Sequence, residues 1–185
     1  MALTYSVSPK AEMVAPDFSL KGVDGKHYSL GEFRDARALI VVFMCNHCPY
    51  VVAVQDRINA LDKEFAPRGV RLVAINSNDT VRYPDDSFEA MQIRAREQGF
   101  RFPYLIDETQ QVARAYDAAC TPDPYVFENR GGQFTLRYHG RIDDNWKAPA
   151  AVTRRDLAEA VEAILSGKPV APEQKPSMGC NIKWK

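Results

Sequence analysis

The chain carries no net charge: 24 lysines and arginines balance 24 aspartates and glutamates. Without an excess of either sign there is no electrostatic footprint for phosphate backbones or anionic lipid, so neither nucleic acid nor a membrane is an expected partner. Long apolar runs are missing too. The longest, Ala38 to Cys45, falls far short of the roughly 20 residues that cross a bilayer. The opening "MALTYSVSPKAEMVAP" has no basic start followed by an apolar stretch, and the expected location is cytoplasmic. Cysteine is scarce, with four in 185 residues, too few for a static disulfide framework in a reducing compartment. There is no internal repeat and no low-complexity segment. What is present, 45% hydrophobic and 26% charged residues, is enough to bury one substantial core.

The hydrophobic pattern reads as an α/β succession. "FSLKGVDGKHYSL" alternates around Asp24-Gly25, a hairpin signal. "ALIVVFM", Ala38 to Met44, is apolar on both faces, as a covered central strand requires. Val54, Ile58, Leu61 and Phe65 follow helical spacing, and "VRLVAIN", Val70 to Asn76, is a second buried strand, giving a βαβ unit. Asp86 with Glu89 is expected to open a helix reaching Gln98, with Gly99 as its cap. "RFPYLID" reads as a short edge strand because Pro103 has no N–H for a ladder. "TQQVARAYDAA" is helical, and "PYVFENRGGQFTLRYHG" is a hairpin around Asn129 to Gly132. A last helix follows Thr153, with Asp156 as its capping partner. The domain is expected over residues 1–167, with 168–185 an extended tail packed on or near it.

"VVFMCNHCPYV" carries the chemistry. Cys45 falls at the carboxyl end of a buried strand and Pro49 marks a helix start, so the pair sits where unpaired helix N–H groups stabilise a thiolate. A C-x-x-C pair at such a junction closes a small disulfide ring without unfolding and makes a reversible two-electron switch. Inert burial and half of a zinc site are the alternatives; zinc needs about four ligands, and the chain has one C-x-x-C unit. No metal and no cofactor is expected. His47, between the cysteines, is read as the tuner of their acidity, whereas His27 and His139 are read as structural.

The order of elements, with "APDFSL", "FMCNHCPYV", "LIDETQQVARAY", "CTPDPYVF" and "GCNIKWK", resembles the thioredoxin superfamily, in particular its peroxiredoxin-like AhpC/TSA branch. The resemblance implies a thioredoxin-like fold: a central mixed β-sheet flanked by helices, with an N-terminal hairpin and an extended C-terminal tail. It implies a thiol-disulfide oxidoreductase with catalytic Cys45 and Cys48, and Thr121-Pro122 as the substrate-binding, cis-proline motif. The implied partners are protein or small-molecule thiols and disulfides, peroxides in a thiol-peroxidase alternative with antioxidant activity, and a thiol reductant. By similarity to superfamily members with histidine before the second cysteine, Cys45 is expected to have the depressed pKa, attacking first, with Cys48 resolving. Leu39 to Met44 holds no buried acid, which leaves His47, Glu108 or water as the base. Cys45 and Val41 stand where peroxiredoxins have threonine or serine and proline. Cys120 and Cys180 are candidates for additional redox roles.

Overall fold

The computed structural model describes residues 3–7 and 12–185. Its first strand, β1 (Leu3–Tyr5), finds its partner at the other end of the chain. β2 (Ser19–Gly22) and β3 (His27–Ser29) form the N-terminal hairpin, with Gly25 at φ 85° in the turn. β4 (Ala38–Phe43), α1 (Pro49–Phe65) and β5 (Val70–Asn76) make the βαβ unit, with the two strands parallel. α2 (Phe88–Glu97) leads to β6 (Tyr104–Ile106), and α3 (Gln111–Ala115) to the two-residue β7 (Cys120–Thr121). The hairpin β8 (Asp123–Arg130) and β9 (Gln133–His139) follows, then α4 (Asp156–Leu165) and β10 (Met178–Asn181).

Seven strands form one mixed sheet in the order β3-β2-β6-β5-β4-β8-β9, parallel only across β4-β5-β6. Every residue of β4 is buried, because both faces of the sheet are covered. Strand alternation divides the core in two. Ala38, Ile40 and Val42 pack with Val54, Ile58 and Phe65 of α1 and Leu157, Val161 and Ile164 of α4. Leu39, Val41 and Phe43 pack on the other side with Phe18, Phe33, Tyr116 and Phe127. Each such large side chain taken out of water contributes about 1.5–3 kcal/mol. Met44, Cys45 and Cys48 continue the α1 side of the core past the end of β4. The architecture is thioredoxin-like.

Three local expectations are corrected. β6 is internal, between β2 and β5, since Pro103 stops just short of the strand and costs the ladder no N–H; its carbonyl accepts from Ala74 at 2.9 Å. α2 is capped by Ser87, whose hydroxyl accepts the Ala90 N–H at 3.3 Å, while Asp86 turns inward to complete burial. α4 lacks the Thr153–Asp156 cap: Thr153 binds Asp144, and Asp156 accepts from Arg141 Nε at 2.9 Å.

The tail from Lys168 is held along the body. Gln174 bonds the backbone at Arg137 and His139, and Lys175 O accepts the Arg141 N–H. β10 lies between β1 and β7 in a second, three-stranded sheet.

Candidate active site

The turn from β4 into α1 presents the two cysteines differently. Cys48, with φ −73° and ψ 119°, is the residue that caps α1, and Pro49 takes the first helical position, where a missing N–H costs nothing. Cys45 lies one residue beyond Met44 at the end of the strand. Both side chains are buried, Cys45 2% exposed and Cys48 0%. They meet over Thr121: Cys48 Sγ donates to the Thr121 carbonyl at 3.0 Å, and Cys45 Sγ lies 3.6 Å from Thr121 Oγ1. The Thr121-Pro122 peptide is cis, as the resemblance implies. Beside Pro122 opens a cleft of about 270 Å³ between Trp146 and Met178.

The loop between the cysteines is fixed by a group that the sequence pattern assigned elsewhere. Asp86 Oδ1 accepts the backbone N–H of Asn46 at 2.8 Å and faces that of His47 at 3.4 Å. Its Oδ2 accepts from Asn78 Nδ2 at 2.7 Å and lies 2.6 Å from His47 Nδ1. Asn46 is further held by Tyr104, whose hydroxyl donates to Asn46 Oδ1 at 3.1 Å, and the His47 ring stacks on Tyr83. Asp86 is therefore the buried acid that β4 lacks. Its signal in the sequence is faint: "NSND" is a polar run at the carboxyl end of β5, and Ser87 with Ala90 offers the better helix cap.

Electrostatics separate the two thiols. Cys48 is brought down to about 5, first because Cys45 donates a hydrogen bond to it, then through bonds from Thr121, Cys180 and the Val51 amide, with burial opposing. Cys45 is pushed well above its ordinary range because it is that donor, because it is buried, and because it faces the Asp86 carboxylate. This is the opposite of the expected order: the helix-cap position, near positive backbone N–H groups, favours an anion on Cys48, and the Asp86 carboxylate favours the proton on Cys45. The Thr121 carbonyl works the other way, favouring a protonated Cys48, but it is one neutral acceptor against several donors.

Residues 12–145 match the model of the AhpC/TSA family. The chain belongs to the AhpC/TSA family. It is similar along its whole length to an uncharacterized conserved protein of Geobacillus kaustophilus, at 43% identity and TM-score 0.93, covering 100% of this chain and 97% of that one. It is likewise similar to a hypothetical protein of Sinorhizobium meliloti 1021, at 40% identity and TM-score 0.91, covering 98% of each. Against the thiol-disulfide oxidoreductase ResA of Geobacillus thermodenitrificans it is 26% identical over 117 residues, 63% of this chain and 63% of the relative. The chain thus spans less than two thirds of that curated relative.

The other expected site residues of this AhpC/TSA chain fall into two groups. Cys180 is in the site: β10 sets it opposite Thr121, and its thiol is hydrogen-bonded to Cys48. Cys120 turns its sulfur toward the Pro122 carbonyl, at 3.6 Å, and burial pushes it far up. Glu108 is exposed, on a groove with Asp17 and His27, and is not placed as a base for Cys48. His139, expected to be structural and outside the site, is buried against Asp123 at 2.7 Å and stacked on Tyr125. Cys45, His47 and Asp86 bring three potential metal-ligand atoms within 4.8 Å of one another. That is one short of a closed tetrahedral zinc set, and both Asp86 oxygens are already engaged by loop donors.

Proposed function

We propose that this AhpC/TSA-family protein is a thiol-disulfide oxidoreductase working through Cys45 and Cys48 on protein or small-molecule thiols and disulfides. The observation that carries the reading is a thiol that caps α1, Cys48, meeting a second thiol, Cys45, over the cis Thr121-Pro122 turn. Cys48 thiolate attacks one sulfur of a substrate disulfide, forming a mixed disulfide and releasing the other sulfur as a thiol. Cys45 gives up its proton and attacks Cys48, leaving a Cys45–Cys48 disulfide and a second substrate thiol. A thiol reductant restores the dithiol, and the reverse sequence oxidises a dithiol substrate. The named activity of the ResA relative supports thiol-disulfide chemistry.

Thiol peroxidase activity is the weaker reading, because Val41 and Cys45 occupy the positions of the expected proline and threonine. A cytoplasmic location is proposed with the function; cell fractionation tests it. For the function itself, the test is turnover of a disulfide substrate such as oxidised glutathione by the full chain. Turnover lost in Cys48→Ser and accompanied in the wild type by a mapped Cys45–Cys48 disulfide supports it. A wild type that consumes no disulfide, or a Cys48→Ser variant that does so at the normal rate, contradicts it.

A further inference from the structure

The C-terminal strand is built into the site at several points. β10 pairs antiparallel with β7 so that Cys180 stands opposite Thr121, the residue that touches both Cys45 and Cys48. Gly179 makes that approach feasible. A Cβ there would lie 1.9 Å from the Thr121 carbonyl oxygen and 2.6 Å from its carbon, so any other residue must push the strand away. Ser177 ties the near side, its hydroxyl donating to Pro122 O at 2.6 Å. The far side is tied by Lys183, whose N–H donates to Asn78 Oδ1 at 2.9 Å and whose carbonyl accepts from Asp79 and Gln110. Asn78 is the same side chain that donates to Asp86, so tail and cysteine loop share one support. Cys180 is 2% exposed and packs in the core cluster that holds Cys45 and Cys48.

A thiol this deeply buried and this firmly positioned against another sulfur is not explained by a tail that merely covers the body. We propose that Cys180 is a third redox thiol of the site, able to take over the sulfur of Cys48 from a mixed disulfide and pass it on to Cys45. The proposal rests on Cys48 being the attacking sulfur in the function proposed above. Once Cys48 carries a substrate sulfur, Cys180 gives up its proton and attacks Cys48 Sγ, breaking the mixed disulfide; a Cys48–Cys180 disulfide forms and the substrate sulfur leaves as a thiolate that takes up the proton Cys180 lost. Cys45 then attacks Cys48 in turn, giving Cys45–Cys48 and returning Cys180 to its reduced form. Each exchange makes one S–S bond and breaks one, so no further oxidant is needed. The strand thereby gives Cys48 two resolving partners on two different elements, one in the loop before α1 and one in β10.

The test uses the full chain oxidised with oxidised glutathione and its disulfides mapped by mass spectrometry. In Cys45→Ser, one intrachain Cys48–Cys180 disulfide is expected in near-stoichiometric yield. It is expected to persist in Cys45→Ser/Cys120→Ser and to be replaced by a stable glutathione adduct on Cys48 in Cys45→Ser/Cys180→Ser. Adding Gly179→Ala to Cys45→Ser is expected to slow formation of the link at least tenfold. A glutathione adduct that persists on Cys48 of Cys45→Ser beside a reduced Cys180 overturns the proposal. So does a Cys48–Cys180 link found only between two chains, or one formed at an unchanged rate with Gly179→Ala. These outcomes are separate from failure of the proposed function, which shows as a wild type that forms no Cys45–Cys48 disulfide.

Discussion

Asp86 Oδ1 accepts the backbone N–H of Asn46 at 2.8 Å across 40 residues of sequence. Through that bond and the contact with His47, a buried carboxylate from the turn before α2 holds the loop that carries both cysteines. The proton stays on Cys45 first because that thiol donates to Cys48 and is buried, and the Asp86 charge adds to the same effect.

Replacing Asp86 by asparagine removes the charge and sets an NH2 group among hydrogen-bond donors. Leaving such donors unsatisfied is expected to cost about 1–3 kcal/mol of stability, measured by chemical denaturation. The variant should also narrow the gap between the two thiols, because Cys45 loses the carboxylate that raises it. Alkylation profiles in which Cys45 keeps its wild-type pH dependence would show that Asp86 acts on the loop alone.

The thiol order fixes a pH dependence of stability. Cys48 has its pKa lowered from 9.0 to about 5 on folding. Its contribution is fully present above the unfolded value and is lost as pH falls through 5, so wild type should gain stability over Cys48→Ser between pH 5 and pH 9. Cys45 and Cys120 are raised, so they act in the opposite sense. Above pH 9 the unfolded chain loses protons that the folded one keeps, and stability should fall. Denaturation midpoints across this range measure both slopes.

The reactive order of the cysteines exchanges the outcomes that the resemblance leads one to expect of the two serine variants. Cys48→Ser should abolish disulfide exchange, whereas Cys45→Ser should still form a disulfide at Cys48 in a first turnover. Stopped-flow release of thiol from an aromatic disulfide measures this, the first equivalent marking attack by Cys48. Loss of that burst in Cys45→Ser, with its retention in Cys48→Ser, would restore the order expected from the motif.

His139 and Asp123 form a buried pair, 2% and 0% exposed and 2.7 Å apart. Breaking it leaves an unpaired buried group, and Asp123→Ala is expected to cost about 3–5 kcal/mol. Thermal unfolding should report that loss while the ratio of Cys48 to Cys45 reactivity stays unchanged in the folded fraction.

Much of this architecture was legible because it rests on local pattern. The apolar run of β4, the three-and-four spacing of α1 and the Asp24-Gly25 turn each specify their element almost alone, and the C-x-x-C at their junction marks the site. What escaped depends on tertiary contacts. Asp86 followed by Glu89 looks like a helix start, and only the packed structure shows that Ser87 takes the cap and frees Asp86 for the loop. Pro103 looked like an edge marker because the ladder's first residue was one position later than assumed. The tail's sequence, "SMGCNIKWK", has no period from which a strand can be read; its pairing is set by β1 and β7, which are short and far apart in the chain. The position of Cys48 as cap, and with it the order of the thiols, turns on a shift of one helical turn that hydrophobic spacing does not resolve.

Site-resolved alkylation of the reduced full chain as a function of pH tests the central claim most directly. Iodoacetamide labelling of each cysteine is followed by mass spectrometry. Cys48 should become reactive through a transition near pH 5, while Cys45, Cys120 and Cys180 remain protonated and slow through neutral pH. A transition near 5 at Cys45, with Cys48 titrating above pH 8, would contradict the assignment of Cys48 as the thiolate of the pair.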